Sequence, residues 1–142
     1  MPTSTTTEAR TPTEKFFEQF LFDMVAGDTE AIAPKLHEEI VWHLPPFAQQ
    51  DPIVGKSAVR RFLAEAGHAI YEAGSLRIEP ELLTCSEGQA SCLATIRGKM
   101  KNGTPYKNRY GFFARLCGAE IAVVWEILDS ALLLEQMRTR DV

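Results

Sequence analysis

Glu126 interrupts an otherwise apolar stretch, IAVVWEILD at residues 121–129, whose β-branched content is that of a buried strand. A carboxylate in such a run has two physical fates. It can be satisfied by hydrogen bonds or an ion pair and simply order the wall it belongs to. Alternatively, apolar surroundings raise its pKa, by as much as about 3–5 units on full desolvation, and make it a general acid or base near neutral pH. The remaining chemistry-bearing residues offer less. His37 and His68 lie near expected helix ends and read as surface residues, whereas His43 adjoins Trp42 in an expected strand, so those two point to opposite faces. Cys85, Cys92 and Cys117 are odd in number, with no CxxC spacing and no histidine at ligand spacing, which implies neither a disulfide framework nor a zinc site. GKS at 55–57 ends like a phosphate-binding loop, but the glycine such a loop needs five residues earlier is Gln50.

The chain must supply elements that hold Glu126 in place. Its 142 residues, 45% hydrophobic, suit one globular domain that buries about 70% of its unfolded surface. A net charge of -4, with lysines and arginines scattered singly or in pairs, leaves no basic footprint for nucleic acid. No apolar run approaches the roughly 18 residues of a membrane span, and the opening MPTSTTTEARTPT has no hydrophobic signal region. The expectation is a soluble, cytoplasmic protein with neither nucleic acid nor membrane as partner.

The Thr-rich opening predicts a flexible tail over residues 1–10, followed by a single domain over 11–142. Thr11, Pro12 and Glu14 form a helix-start signature, and the apolar residues from Phe16 to Val25 recur at helical spacing until Gly27. Asp28 caps a second short helix to about Leu36. EIVWHL at 39–44 reads as a strand ended by Pro45 and Pro46, and a loop runs to Gly55. A third helix is expected over 56–73, with Val59, Phe62, Leu63 and Ala66 on its buried side. Residues 75–85, 90–101, 105–116 and 121–129 then read as four strands joined by the turns SEGQ, KNGT and LCGAE, with a short helix from Ser130. Helices followed by an antiparallel meander describe an α+β domain.

One strand reveals its faces directly. Tyr106, Asn108, Tyr110, Phe112 and Ala114 share one side, and Lys107, Arg109, Gly111, Phe113 and Arg115 the other, so the basic set faces outward. The same alternation divides residues 121–129 into Ala122, Val124, Glu126 and Leu128 against Val123, Trp125, Ile127 and Asp129, and composition does not choose between them.

The segments AGDTEAIAPKLHEEIVWHLP, IVGKSAVRRFL and NGTPYKNRYGFFARLCGAEIAVVWEILD, within about residues 14–137, resemble the nuclear-transport-factor-like superfamily. Within it the chain is most similar to the SnoaL-like polyketide cyclases and ketosteroid-isomerase-related proteins. The resemblance implies a cone-shaped α+β domain, a curved, mostly antiparallel sheet packed on three N-terminal helices. It puts Val124, Glu126 and Leu128 on the pocket side, with Thr95, Arg97 and Lys99 inward from a neighbouring strand and Trp42 and Leu44 inward from the first. The implied pocket is lined by Phe20, Trp42, Leu44, Thr95, Phe112 and Leu128, with Arg97, Asn108, Tyr110 and Glu126 as convergent polar groups.

The resemblance also denies some chemistry. The positions matching the three functional residues of ketosteroid isomerases are Leu44, Phe20 and Phe112, all apolar. Those matching the inner-strand Arg and Asp of limonene-type epoxide hydrolases are Thr95 and Arg97, so the second carboxylate is missing. SnoaL-like cyclases need less: an apolar cavity that folds the substrate and an acidic residue on the last strand. The expectation is a cofactor-independent cyclase or isomerase acting on a hydrophobic, carbonyl-bearing small molecule. Glu126 is its acid/base, supported by Arg97, Tyr110 and Asn108, and no metal or organic cofactor is required. The alternative is a non-catalytic binding protein for an apolar ligand, in which Glu126 and Arg97 form a structural ion pair. Phe113, Trp125 and Ile127 on the outer sheet face further imply a homodimer through that face.

Overall fold

The structure, a computed structural model, describes residues 10–140; the expected flexible tail lies, apart from Arg10, outside the described residues. Helix α1 (Pro12–Ala26) begins where the sequence says it should. The Thr11 hydroxyl accepts from the Glu14 N–H at 3.1 Å while the Glu14 carboxylate accepts from the Thr11 N–H at 2.9 Å, and Gly27 closes the helix in the left-handed region. Asp28 caps α2 (Thr29–Ile32), and a 3-10 turn (Ala33–Lys35) carrying Pro34 delivers the chain into β1 (Leu36–His43), three residues earlier than alternation alone suggests. After β2 (Ile53–Val54) and α3 (Lys56–Glu65) come β3 (Arg77–Ser86), β4 (Gln89–Lys99), β5 (Pro105–Cys117), β6 (Glu120–Leu128) and α4 (Ser130–Arg140).

The strands form one curved, unclosed six-stranded sheet in the order β2-β1-β6-β5-β4-β3. It is mixed rather than wholly antiparallel: β1 and β6, the first and last long strands, pair parallel, with Trp42 opposite Val124 and His43 opposite Trp125. Helices α1 and α3 pack on the inner face, where Phe17, Phe20, Leu21, Val59 and Leu63 meet Trp42, Ala94, Ile96, Phe112 and Val124 in the core.

Register decides which residues face that core. In β5 the alternation is as its charges imply, with Tyr106, Asn108, Tyr110, Phe112 and Ala114 buried. Strand partners directly opposite one another share a face, so Ala94 opposite Tyr110 and Ile96 opposite Asn108 are also inward. Thr95 and Arg97 therefore point outward, contrary to the family-based expectation. A β-bulge at Ala122 in β6 resets the alternation, so that Ile121, Val124 and Leu128 face inward together with Glu126.

The third helix is shorter than the 56–73 its composition suggests. It ends at Glu65, and Gly67 adopts φ 80°, a left-handed conformation that a helix interior does not contain. The carbonyl of Gly67 accepts from the N–H groups of both Ile70 and Tyr71, and Tyr71 bridges to Met100, so the segment 66–74 folds back over the end of β4. A Cβ on Gly67 would sit 2.7 Å from the Tyr71 ring. Gly67→Ala is therefore expected to lower stability by about 1–3 kcal/mol through the strained φ and the displaced ring, measured by chemical denaturation.

Candidate active site

Between the helices and the inner sheet face lies a cavity of about 490 Å³, within the usual range for small-molecule sites. Its walls are apolar: Met24 and Val25 from α1, Phe62 and Leu63 from α3, Ile96, Phe112 and Leu128 from the sheet, and Leu133 from α4. Leu44 and Phe47 from the loop after β1 and Ile70 and Leu76 from the segment before β3 complete them. Phe47, Ala48, His68 and Glu72 line the cavity and are exposed, which marks its mouth.

Glu126 projects into this cavity from β6. Its side chain is surrounded by protein yet accessible from the cavity, and its Oε1 accepts a 3.1 Å hydrogen bond from the indole Nε1 of Trp42. Trp42 is itself fully buried and held between Phe20 and Phe62, at ring distances of 6.2 and 6.4 Å. The indole therefore has a fixed direction, and it fixes one carboxylate oxygen. Burial pushes the Glu126 carboxyl above the usual carboxylate range, and the Trp42 N–H opposes that only in part. Among the described residues no lysine or arginine lines the cavity.

A second polar feature is a tyrosine cluster. The hydroxyls of Tyr106 and Tyr110 lie 2.7 Å apart, and the Tyr71 ring sits 4.8 Å from that of Tyr106. Burial, joined by the neighbouring phenols, raises the pKa of both Tyr71 and Tyr110, and the Glu126 charge adds to the rise, so both keep their protons at neutral pH and can donate. Tyr110 lies on the same face as Glu126, diagonal to it across the β5–β6 pair, because Phe112 stands opposite Glu126 and Leu128 opposite Tyr110.

The residues singled out in the sequence are thus distributed unevenly. Glu126, Tyr110, Leu44, Phe112 and Leu128 line the cavity. Trp42 and Phe20 stand behind that wall, Trp42 reaching Glu126 through its N–H and Phe20 supporting Trp42. Asn108 faces inward, but its amide is used elsewhere: Nδ2 donates to the Asp129 carbonyl at 3.0 Å, and Oδ1 accepts from the Arg109 and Asp129 N–H groups. It clamps the β6–α4 junction and thereby helps set Leu133 in place.

Arg97 and Thr95 are corrections. The Arg97 guanidinium makes an ion pair with Glu79 at 3.1 Å on the outer face, and the Thr95 hydroxyl donates to Glu81 at 2.6 Å on that same face. Arg97 is therefore no partner of Glu126, because the register that buries Ile96 must turn its neighbours out. Tyr71 is hidden in the sequence because composition extends the helix over 56–73, and Gly67 is the one local signal against that extension. Among the described residues no group of three or more His, Cys, Asp or Glu could hold a metal ion, and no helix is long and apolar enough to cross a membrane.

The profile of the SnoaL-like domain matches residues 14–124. The chain belongs to that family. No curated protein matches the sequence. Among solved structures, this SnoaL-like domain is similar to an NTF2-like protein of unknown function from Burkholderia pseudomallei K96243, with TM-score 0.75, 15% identity and coverage of 89% of this chain and 97% of that one. It is also similar to a candidate SnoaL-like polyketide cyclase from Jannaschia sp. CCS1, with TM-score 0.72, 10% identity and coverage of 88% and 93%. A third is a protein with a ketosteroid isomerase-like fold from Catenulispora acidiphila DSM 44928, solved with trimethylamine, with TM-score 0.68, 13% identity and coverage of 83% and 86%. At these identities the likeness shows the fold.

The raised Glu126 pKa has a thermodynamic consequence. Between the ordinary carboxylate range and the raised value, the unfolded chain has released this proton and the folded one has not, so stability falls as pH rises through that window. Denaturation curves from pH 4 to 9 should show wild type losing stability relative to Glu126→Gln across that window and levelling beyond it; parallel curves would contradict the shift.

Proposed function

We propose that this SnoaL-like domain is a cofactor-independent isomerase or cyclase that enolises a hydrophobic, carbonyl-bearing small molecule, with Glu126 moving the proton. The observation that carries the reading is a carboxylate in an apolar cavity with one neutral donor, Trp42, and, among the described residues, no lining cation. Desolvation makes such a carboxylate a stronger base than one in water. Membership of the family and its isomerase- and cyclase-like neighbours support a general isomerase, cyclase or binding role.

The Glu126 carboxylate takes a proton from the carbon next to the substrate carbonyl. The C–H electron pair becomes the carbon–carbon π bond of the enolate, and the carbonyl π electrons move onto oxygen. The Tyr110 hydroxyl donates to that oxygen, and the Tyr106 hydroxyl beside it steadies Tyr110. Trp42 acts as a positioning residue, aiming Glu126 without touching substrate. Neutral Glu126 then returns the proton. Delivered to another carbon of the delocalised enolate, it completes an isomerisation. If the enolate carbon first bonds to a second carbonyl of the same molecule, the proton goes to the resulting alkoxide and an aldol ring closure is complete.

The second reading, a non-catalytic binding protein for an apolar ligand, is favoured by the positions of Asn108 and Arg97. With one occupied at the β6–α4 junction and the other on the outer face, the hydroxyl donors lining the cavity, among the described residues, are those of Tyr71 and Tyr110. A cytoplasmic setting accords with three cysteines that are all free. The outer sheet face fits a homodimer: Leu82, Leu93, Gly111 and Ile127 align in one row across four strands, and Phe113 and Trp125 stand in the next. Leu82, Phe113 and Ile127 are 61%, 44% and 55% exposed, an apolar band that a second copy would cover.

Deuterium incorporation next to the carbonyl of 2-tetralone, followed by NMR, tests the chemistry. Wild type should accelerate exchange, Glu126→Gln should lose at least ~100-fold of the rate with binding retained, and Tyr110→Phe should lose ~10–100-fold. Trp42→Phe should shift the rising limb of the pH profile to higher pH, because it removes the hydrogen bond that stabilises the carboxylate. Binding of the ketone without exchange above buffer would sink the enolisation reading and leave the binding one. For the dimer, light scattering should give twice the chain mass for wild type and the chain mass for the Phe113→Lys, Ile127→Lys double variant; a monomeric wild type would refute it.

A further inference from the structure

The charges around the cavity are one-sided. Glu126 lies inside it, Glu72 and His68 stand at the mouth, and among the described residues no lysine or arginine lines it. Of the cations on the adjoining strands, Arg97 pairs with Glu79 and Arg109 with Glu81 on the outer face, and Lys99, Lys107 and Arg115 are exposed. What faces Glu126 from the other elements is neutral, namely the Trp42 indole of β1 and, in the same cavity, Phe112 and Tyr110 of β5 and Tyr71 of the segment before β3.

A ligand entering this space gives up water and meets that inventory. A neutral, apolar molecule loses little hydration, and an oxygen on it finds tyrosine hydroxyls able to donate. An anion loses a large hydration energy, finds no cation and meets the Glu126 carboxylate in a poorly screened environment. Adding a single arginine on the inner face of β4 would reverse that balance, but the register turns Arg97 outward.

Resting on the reading of this cavity as the ligand site, we infer that its ligand is a hydrophobic molecule without a negative charge, and that Glu126 enforces that selection against carboxylates, sulfonates and phosphates of the same shape. The selection would hold whether the ligand is turned over or only bound.

Fluorescence titration at pH 9, where Glu126 is more fully ionised than at neutrality, with N-phenyl-1-naphthylamine and its 8-sulfonate tests this, since the pair share one ring system and differ by one charged group. Wild type should bind the neutral probe at least ~10-fold more tightly, and in Glu126→Gln that preference should fall by about 10-fold through a gain in sulfonate affinity. Glu126→Asp, which keeps the charge, should keep the preference. Equal affinities for wild type would overturn the inference without any variant, and so would an unchanged preference in a folded Glu126→Gln protein. Neutral-probe binding that survives Leu128→Trp, a substitution that fills the cavity, would also overturn it by moving the binding to another surface. The α-proton exchange assay is independent of these outcomes: it can fail while the charge preference stands, and the reverse.

Discussion

The parallel pairing of β1 with β6 is the constraint on which the site depends. It joins the first and last long strands, sets Trp42 opposite Val124, and so brings an indole N–H to a carboxylate 84 residues away in sequence. Parallel neighbours need a long crossover, and here the crossover is most of the domain: α3 and the β3–β5 meander intervene between the two strands. The cavity forms where the inner face of that sheet is spanned rather than filled. Phe20 and Phe62 pack on either side of Trp42, and their bulk keeps the indole from turning away from Glu126.

Sheet alternation then sorts the charges. The outer face collects Glu79, Glu81, Arg97 and Arg109 as a ladder of exposed ion pairs, which solvent screens. Among the described residues the inner face gives Glu126 no counter-charge, which is the more consequential choice. A surface pair contributes little to stability and can be lost cheaply, whereas a desolvated carboxylate carries a cost to the fold, and basicity and selectivity are the roles proposed for it. The two bulges, at Glu81 in β3 and Ala122 in β6, fit this sorting. The first leaves Glu81 on the outer side beside Thr95 and Arg109, and the second lets Ile121 and Glu126 share the inner side.

The cavity has a rigid wall and an adaptable one. Glu126, Tyr110 and Phe112 stand on paired central strands, where backbone hydrogen bonds on both sides fix their positions. Tyr71 and Ile70 arrive from a turn segment anchored to β4 by the Glu72 N–H to the Lys99 carbonyl and the Lys101 N–H to the Ile70 carbonyl. Glu126, the proposed acid/base group, thus sits on paired central strands, while the residues near the mouth come from irregular backbone.

Much of this was legible in the residues. Capping box, glycine stop, proline stops and period-two strands gave the elements, because each depends on local sterics and hydrogen bonding. The faces of β5 followed from its own charges, and the suspicion about Glu126 from one polar residue in an apolar strand. The family resemblance puts Thr95 and Arg97 inward, whereas the alternation of Cys92, Ala94 and Ile96 with Ser91, Thr95 and Arg97 in the residues themselves matches the face that the structure shows. Tertiary structure alone decided three things: that Glu126 meets Trp42 instead of arginine, that Asn108 is consumed at the β6–α4 junction, and that Tyr71 packs against Tyr106. Each is a contact between segments far apart in the chain, set by strand register and by the path of the connecting segments, and neither periodicity nor composition encodes those distances.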